Sequence, residues 1–380
     1  MNSPKLRFKN FNDEWISKKL GDICNIVMGQ SPNSENYNNG HNGIPLIQGN
    51  ADILDRKTNP QNFTIQITKT CNIGDILMSV RAPVGNVAIS YHYACIGRGI
   101  CSISTKLSQK YVYQFLISYE KNWRKISQGS TFQSINSKDI CNIIINLPSI
   151  EEQTKIANFL SLIDRKIELQ EKLVENLKLY KKGLLQKVFS NNQEWNHVEL
   201  YTVCDVRDGT HNSPKYTENG YPLVTSKNLS KNGQLDFSNI SYISQKDFDE
   251  INKRSKVNVG DILFGMIGTI GNPVLLTKDE FAIKNVALIK EKTKLKNKFL
   301  IQFLNSSAIE NQFNFNKTGG TQKFIALNSI RKLLVPIPSI EEQNQIANLF
   351  TNLDKKIELE TKKLQDLKTY KKGLLQKMFI

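Results

Sequence analysis

The feature that most constrains this chain is that one long segment is written in it twice. Residues 148–189 read PSIEEQTKIANFLSLIDRKIELQEKLVENLKLYKKGLLQKVF, and residues 338–379 read PSIEEQNQIANLFTNLDKKIELETKKLQDLKTYKKGLLQKMF; without a gap, 26 of 42 positions are identical. Weaker echoes precede each copy. Trp15, Leu20 and Cys24 answer Trp195, Leu200 and Cys204, Gly74-Asp75-Ile76-Leu77 answers Gly260-Asp261-Ile262-Leu263, and Gly129-Ser130-Thr131 answers Gly319-Gly320-Thr321. Self-similarity at this period implies two copies of one structural unit, about 11–189 and 195–379, each a variable globular part followed by a near-constant tail. The expected boundaries are 1–147 and 191–337 for the globular parts, with tails at 148–190 and 338–380.

The tails read as helices. Alternating steps of four and three from Ile156 reach Leu160, Ile163, Ile167, Gln170, Val174, Leu177, Lys181, Leu184 and Val188. In the second copy the same steps reach Ile346, Phe350, Leu353, Ile357, Glu360, Leu364, Leu367, Lys371, Leu374 and Met378. This is a sustained heptad seam with polar breaks at the same two rungs. Ser149 with Glu152, and Ser339 with Glu342, have the spacing of a capping box, in which Ser accepts from a free backbone N–H and Glu reaches back. A helix of about 40 residues spans roughly 60 Å. So long a seam needs a partner of equal length, and the best-matched partner is the other copy. Antiparallel packing is favoured, because it gives the repeat a pseudo-two-fold axis. The polar rungs fit either register-setting positions or openings for another helical subunit.

Charge sharpens the picture. The chain of 380 residues has a net charge of +16. Residues 1–147 hold 16 Lys and Arg against 9 Asp and Glu (+7), residues 191–337 hold 19 against 14 (+5), and each tail holds 8 against 6 (+2). The excess sits on the globular parts, the reverse of a membrane-binding amphipathic helix. With 39% hydrophobic residues and no apolar run near a membrane span, the expectation is a soluble, cytoplasmic protein with real cores. Six cysteines without C-x-x-C spacing and four His suggest reduced, partly buried thiols, not a metal or disulfide site.

Inside the globular parts, short β-branched runs such as Asp75–Val80, Val87–Tyr91 and Asp261–Phe264 alternate with Gly, Asn and Pro. Lys110–Ser118 and Asn297–Asn311 are the best helix candidates. Mixed α/β modules with polar loops are expected. Those loops carry residue types that read base edges or cradle phosphate: Gln48, Asn50, Ser79, Arg81, Ser130 and Thr131 in the first part, and Thr210, His211, Ser226, Lys227, Asn228, Thr269, Thr321 and Lys323 in the second.

Signs of catalysis are missing. No G-x-x-x-x-G-K followed by Ser or Thr is present, and Asn272-Pro273-Val274 does not match an amino-methyltransferase motif. Strings such as Asp164-Arg165-Lys166 and Asp354-Lys355-Lys356 look like a nuclease fragment but lie on the seam helices, where alternating charge is ordinary. The chain reads as one that binds and positions without catalysing.

On these residues the chain resembles the specificity (S) subunit of Type I restriction-modification systems, over nearly its whole length. The resemblance rests on the doubled helix openings at Leu147–Gln153 and Ile337–Gln343. In the first variable part it also rests on Gly29-Gln30-Ser31-Pro32, Ser79 to Gly85 and Ile96-Gly97-Arg98-Gly99. In the second it rests on Asp208-Gly209-Thr210-His211, Thr225-Ser226-Lys227-Asn228 and Gly268-Thr269-Ile270-Gly271. It implies two target recognition domains on double-stranded DNA, each reading half of a bipartite, asymmetric target, with an antiparallel coiled coil as the ruler between them. It implies docking of two modification subunits and of restriction (motor-nuclease) subunits. S-adenosylmethionine, ATP and Mg2+ would then sit on those partners, with no cofactor or metal in this chain. A self-contained DNA-modifying enzyme and a coiled-coil scaffold are the alternative readings.

Overall fold

The computed structural model describes residues 4–127, 134–190, 194–314 and 324–379. It divides into two compact units whose boundaries cut across the repeat. One unit combines residues 1–171 with 362–380, and the other is the unbroken stretch 172–361. Both tails are single helices, Ile150–Ser190 and Ile340–Met378, so each unit holds one globular part with segments of both.

In the first unit, Cys24–Met28, Ile100–Thr105, Ile76–Ser79 and Val87–Ile89 form consecutive antiparallel neighbours in a six-stranded sheet. A second sheet contains a parallel pair, Ile44–Ile47 with Ala94–Ile96. In the second unit, Cys204–Asp208, Val286–Glu291, Ile262–Gly265 and Gly271–Leu275 repeat the antiparallel order. Tyr221–Val224 with Ala282–Ile283 repeats the parallel pair. Each unit also clips the start of its globular part to the end, Ile16–Lys19 against Ile144–Leu147 and His197–Glu199 against Leu334–Pro336. Sequences with only scattered echoes therefore build one frame twice, because a frame of short buried strands constrains apolarity and turn positions more than residue identity. The expected helices are found at Gln109–Ser127 and at Asn297–Leu304, the latter ending before a separate helix, Ser307–Asn314, in place of one run.

Every seam position is buried or half-buried. In the first unit Leu160, Ile163 and Ile156 share a core with Trp15, Tyr111, Phe115 and Trp123, and the same core takes in Leu374, Leu375, Met378 and Phe379. Phe379 packs on Tyr111 and Phe115, with ring centroids 5.3 and 6.1 Å apart. In the second unit Phe189, the repeat equivalent of Phe379, packs on Trp195, Phe299 and Phe303 at 5.4–6.3 Å. Each globular part is thus closed by the aromatic residue near the end of a seam helix.

The polar rung at Lys181/Lys371 is a register lock. In the first unit buried Lys371 pairs with Asp164, which also accepts from Gln114 Nε2 at 2.7 Å. Burial pushes the Lys371 ammonium below its usual range against the opposing pull of Asp164. Glu171 pairs with Lys368 at 2.6 Å, so the two helix segments run antiparallel there. In the second unit the same bond recurs with roles exchanged, Lys181 to Asp354 at 2.5 Å. Asp164→Ala is expected to destabilise the first unit by about 2 kcal/mol, the partial solvent exposure of Asp164 keeping this below a fully buried pair. Adding Lys371→Met should recover most of that loss in urea unfolding; a double variant no better than the single one would contradict the register role.

Only one of the two capping boxes closes as expected. Ser339 and Glu342 exchange both bonds, Ser339 N to Glu342 Oε2 at 2.9 Å and Glu342 N to Ser339 Oγ at 3.2 Å. At the first helix Glu152 N still reaches Ser149 Oγ at 3.3 Å, but its carboxylate is buried and taken bidentately by Arg7, both bonds at 2.8 Å. A guanidinium fork offers a buried carboxylate more than one backbone N–H can.

Candidate nucleic-acid interface

In the first unit three loops at strand ends are knitted together by their backbones. Gly29 N donates to Ile100 O (2.9 Å), Gln30 N to Ile96 O (2.9 Å), Gly97 N to Ile47 O (2.8 Å) and Gly99 N to Gln48 O (3.1 Å). The approach is too close for side chains: a Cβ on Gly29 would lie 2.2 Å from Gly97 O, and one on Gly99 2.4 Å from Gln48 O. That is the physical reason for glycine at these places. On this platform Ser31, Gln48, Asn50, Arg81 and Arg98 line an open cleft of about 200 Å3. Arg98 N is held by Ser31 Oγ at 3.1 Å while its side chain is exposed. Asn50 Oδ1 accepts from Asn86 Nδ2 at 2.7 Å. Asp52, next to the cleft in sequence, is buried, accepting from Gln48 N at 2.7 Å and Gly49 N at 3.2 Å. The cleft therefore presents two guanidiniums and two amides, the set that pairs with phosphate and with purine edges.

In the second unit the loop carrying Thr210 and His211 is fixed on Ile283–Asn285: Thr210 N donates to Ile283 O at 3.0 Å and Asn285 N to Thr210 O at 3.2 Å. His211 is held with Nε2 2.8 Å from Asp208 Oδ2 and Nδ1 2.9 Å from Asn285 Oδ1, and Arg254 pairs with the other oxygen of Asp208. Lys227 stands exposed on the adjoining turn, and Thr269 is half-buried on the next loop.

Three predicted contacts are corrected. Ser79, 1% exposed, donates to Pro83 O at 2.6 Å and accepts from Asn86 N at 2.9 Å. Ser226 is buried, donating to Asn285 O at 3.1 Å. Asn228 is buried, its Oδ1 accepting from Thr225 N at 2.9 Å and its Nδ2 donating to Asp236 O at 3.0 Å. Their side chains hold the loops that carry the exposed groups. Ser130, Thr131, Thr321 and Lys323 lie outside the described residues. Sequence reasoning left Arg98 and Asn86 off the candidates; the glycines on both sides of Arg98 were the available signal.

Burial pushes the Cys24 thiol up to about 11 and those of Cys101 and Cys204 up to about 12. Among the described residues no group of three or more His, Cys, Asp or Glu is placed to hold a metal ion, and no helix is long and apolar enough to cross a membrane.

A family model described as Type I restriction modification DNA specificity domain matches the chain twice, over residues 12–179 and 192–369. The chain belongs to that family. It is a Type I specificity subunit with two DNA-recognition domains, and its class binds DNA in complex with other restriction-modification subunits. Specificity subunits are the non-catalytic members of those systems. The chain is similar to the MjaVIII specificity subunit of Methanocaldococcus jannaschii, at 25% identity over 96% of this chain and 91% of that one. It is 36% identical to the putative MjaX specificity subunit of the same organism, over 46% of this chain and less than half of that relative (42%). The S subunit structure from M. genitalium has the same fold, with a TM-score of 0.64 at 17% identity, covering 100% and 99% of the two chains.

Proposed function

We propose that this S subunit reads a bipartite and asymmetric DNA target, the Arg81–Arg98 cleft taking one half-site and the Thr210–Lys227 loop cluster the other. The observation that carries the reading is that one frame, built twice, presents different side chains at corresponding loops. The short turn after the parallel strand is Asn50–Asp52 in the first unit and Ser226–Asn228 in the second, exposing different groups. A shared frame with unlike contacts suits two halves of one target that differ in sequence. The net charges of +7 and +5 on the globular parts favour phosphate, and affinity should fall steeply as salt rises.

Two modification subunits binding S-adenosylmethionine, and restriction subunits using ATP and Mg2+, complete the complex in this reading, and this chain carries no cofactor of its own. The seam positions are buried or half-buried within their own units, which favours other groups on the helices as the receiving surface. Each unit instead leaves repeat-matched apolar groups exposed on its helix segments, Leu169 and Tyr370 in the first, Tyr180 and Leu359 in the second. These are the proposed docking contacts.

The test is mapping of methylated sites in cells expressing the subunit with its modification partner. Arg81→Ala is expected to relax one half of the methylated motif and Lys227→Ala the other, each by about 1–3 kcal/mol of discrimination where the side chain reads a base. If both variants relax the same half, the assignment of halves to units fails.

A further inference from the structure

We infer that Ile267 and Phe324 form a thymine-reading ledge in the second unit, selecting thymine by its 5-methyl group in that unit's half-site. The inference rests on the DNA-reading role proposed above.

In each unit the residue two beyond a central strand makes an antiparallel bridge to the start of the segment leading back to the seam helix. In the first unit the bridge is Arg81 with Ser134, followed by Ile135 N donating to Val80 O at 3.0 Å. In the second it is Ile267 with Phe324, followed by Ile325 N donating to Met266 O at 2.8 Å. The bridge and the bond that follows it recur in both units, but the exposed polar pair of the first unit is replaced by an apolar pair. Phe324 is 66% exposed and Ile267 42%.

The bridge holds the two side chains side by side, directly cross-strand partners standing about 5 Å apart at Cβ. Their surroundings are those of the candidate interface. Ser226 Oγ accepts from Met266 N at 3.3 Å, which ties this edge to the turn bearing exposed Lys227. Two side chains are far less than the roughly 800 Å2 per partner of a stable protein interface, so a protein occupant is disfavoured on size. A base edge fits. The thymine 5-methyl group is the one apolar feature in the major-groove pattern, and an aliphatic or aromatic side chain is its natural contact. In the first unit the same position carries Arg81, which lines the polar cleft, so the two halves are read there by opposite chemistry.

The experiment uses the complex of this chain with its modification subunits and duplexes containing the mapped target, with uracil replacing thymine in one half-site at a time. Uracil in the second unit's half-site should weaken binding about three- to tenfold, one buried methyl corresponding to about fourfold. Uracil in the first unit's half-site should leave binding within twofold. Phe324→Ser and Ile267→Ser, alone or together, should erase the thymine–uracil difference without altering the first half-site. Equal binding of thymine and uracil, discrimination that survives both substitutions, or a second half-site without thymine would each overturn the inference. So would failure of the Phe324→Ser chain to assemble with its partners, which would assign the ledge to protein. A complex that ignores sequence in both halves would bring down the DNA-reading role itself, whereas a specific complex indifferent to uracil would bring down this inference alone.

Discussion

A chain ended after Gly373 should lose the half-site read by the first unit and keep that unit's sequence partner, the second, folded. The deletion removes Leu374, Leu375, Met378 and Phe379, all buried in the core that also holds Trp15, Tyr111 and Phe115. At about 1.5–3 kcal/mol for each large apolar side chain, the loss is on the order of 6–12 kcal/mol as an upper estimate. That is comparable with the entire stability of an ordinary domain. Hydrogen exchange should show the amides of residues 16–127 deprotected and those of 197–314 unchanged. Retained protection in the first stretch would mean that this core closes without the helix end.

Among substitutions in the glycine platform under the first cleft, Gly29→Ala is expected to have the largest effect. The added methyl would lie 2.2 Å from Gly97 O and 2.7 Å from both Ile96 O and Ile100 O. All three are backbone oxygens of strands or loops locked by hydrogen bonds, so none can swing away as a flexible side chain would. Overpacking against fixed backbone should cost about 4 kcal/mol or more and disorder the loops under Arg98 and Gln48. Gly183→Ala is the matched control. Nothing lies within 4 Å of its would-be Cβ, and it sits inside the helix Ile150–Ser190, where alanine should add up to about 1 kcal/mol. Thermal unfolding distinguishes the two, and equal effects would show that the glycine platform tolerates a side chain.

How much of this was legible beforehand depended on whether the cause was local. The seam helices declared themselves through the spacing of Ile156 to Val188 and its repetition, because amphipathic periodicity is a short-range signal. Lys181 and Lys371 were visible as breaks in that pattern, but their partners Asp354 and Asp164 lie well over a hundred positions away and could not be read from spacing. The same holds for Arg7, which takes Glu152 from its expected capping role. Ser79, Ser226 and Asn228 misled for a different reason. Short polar residues after strands serve equally to hold a turn and to read a base, and only burial separates the two. The exchange of Arg81 for Ile267 could be counted out from the echo of Gly74-Asp75-Ile76-Leu77 in Gly260-Asp261-Ile262-Leu263, but spacing does not tell that both side chains are exposed or that each is bridged to a distant segment.

The interleaved division of the chain also sets an order in time. The second unit is an uninterrupted stretch, residues 172–361, whereas the first awaits residues 362–380. During synthesis the ribosome releases everything the second unit needs before it releases the strip that completes the first. The earlier-made domain is therefore the later to mature, and for that interval its core lacks Leu374, Leu375, Met378 and Phe379, leaving the side of Tyr111 and Phe115 that Phe379 covers open for a segment not yet translated. A growing chain of this design is most exposed to proteases and chaperones in its first unit, and premature termination between residue 361 and the final helical turns should leave one finished reading head and one unfinished one.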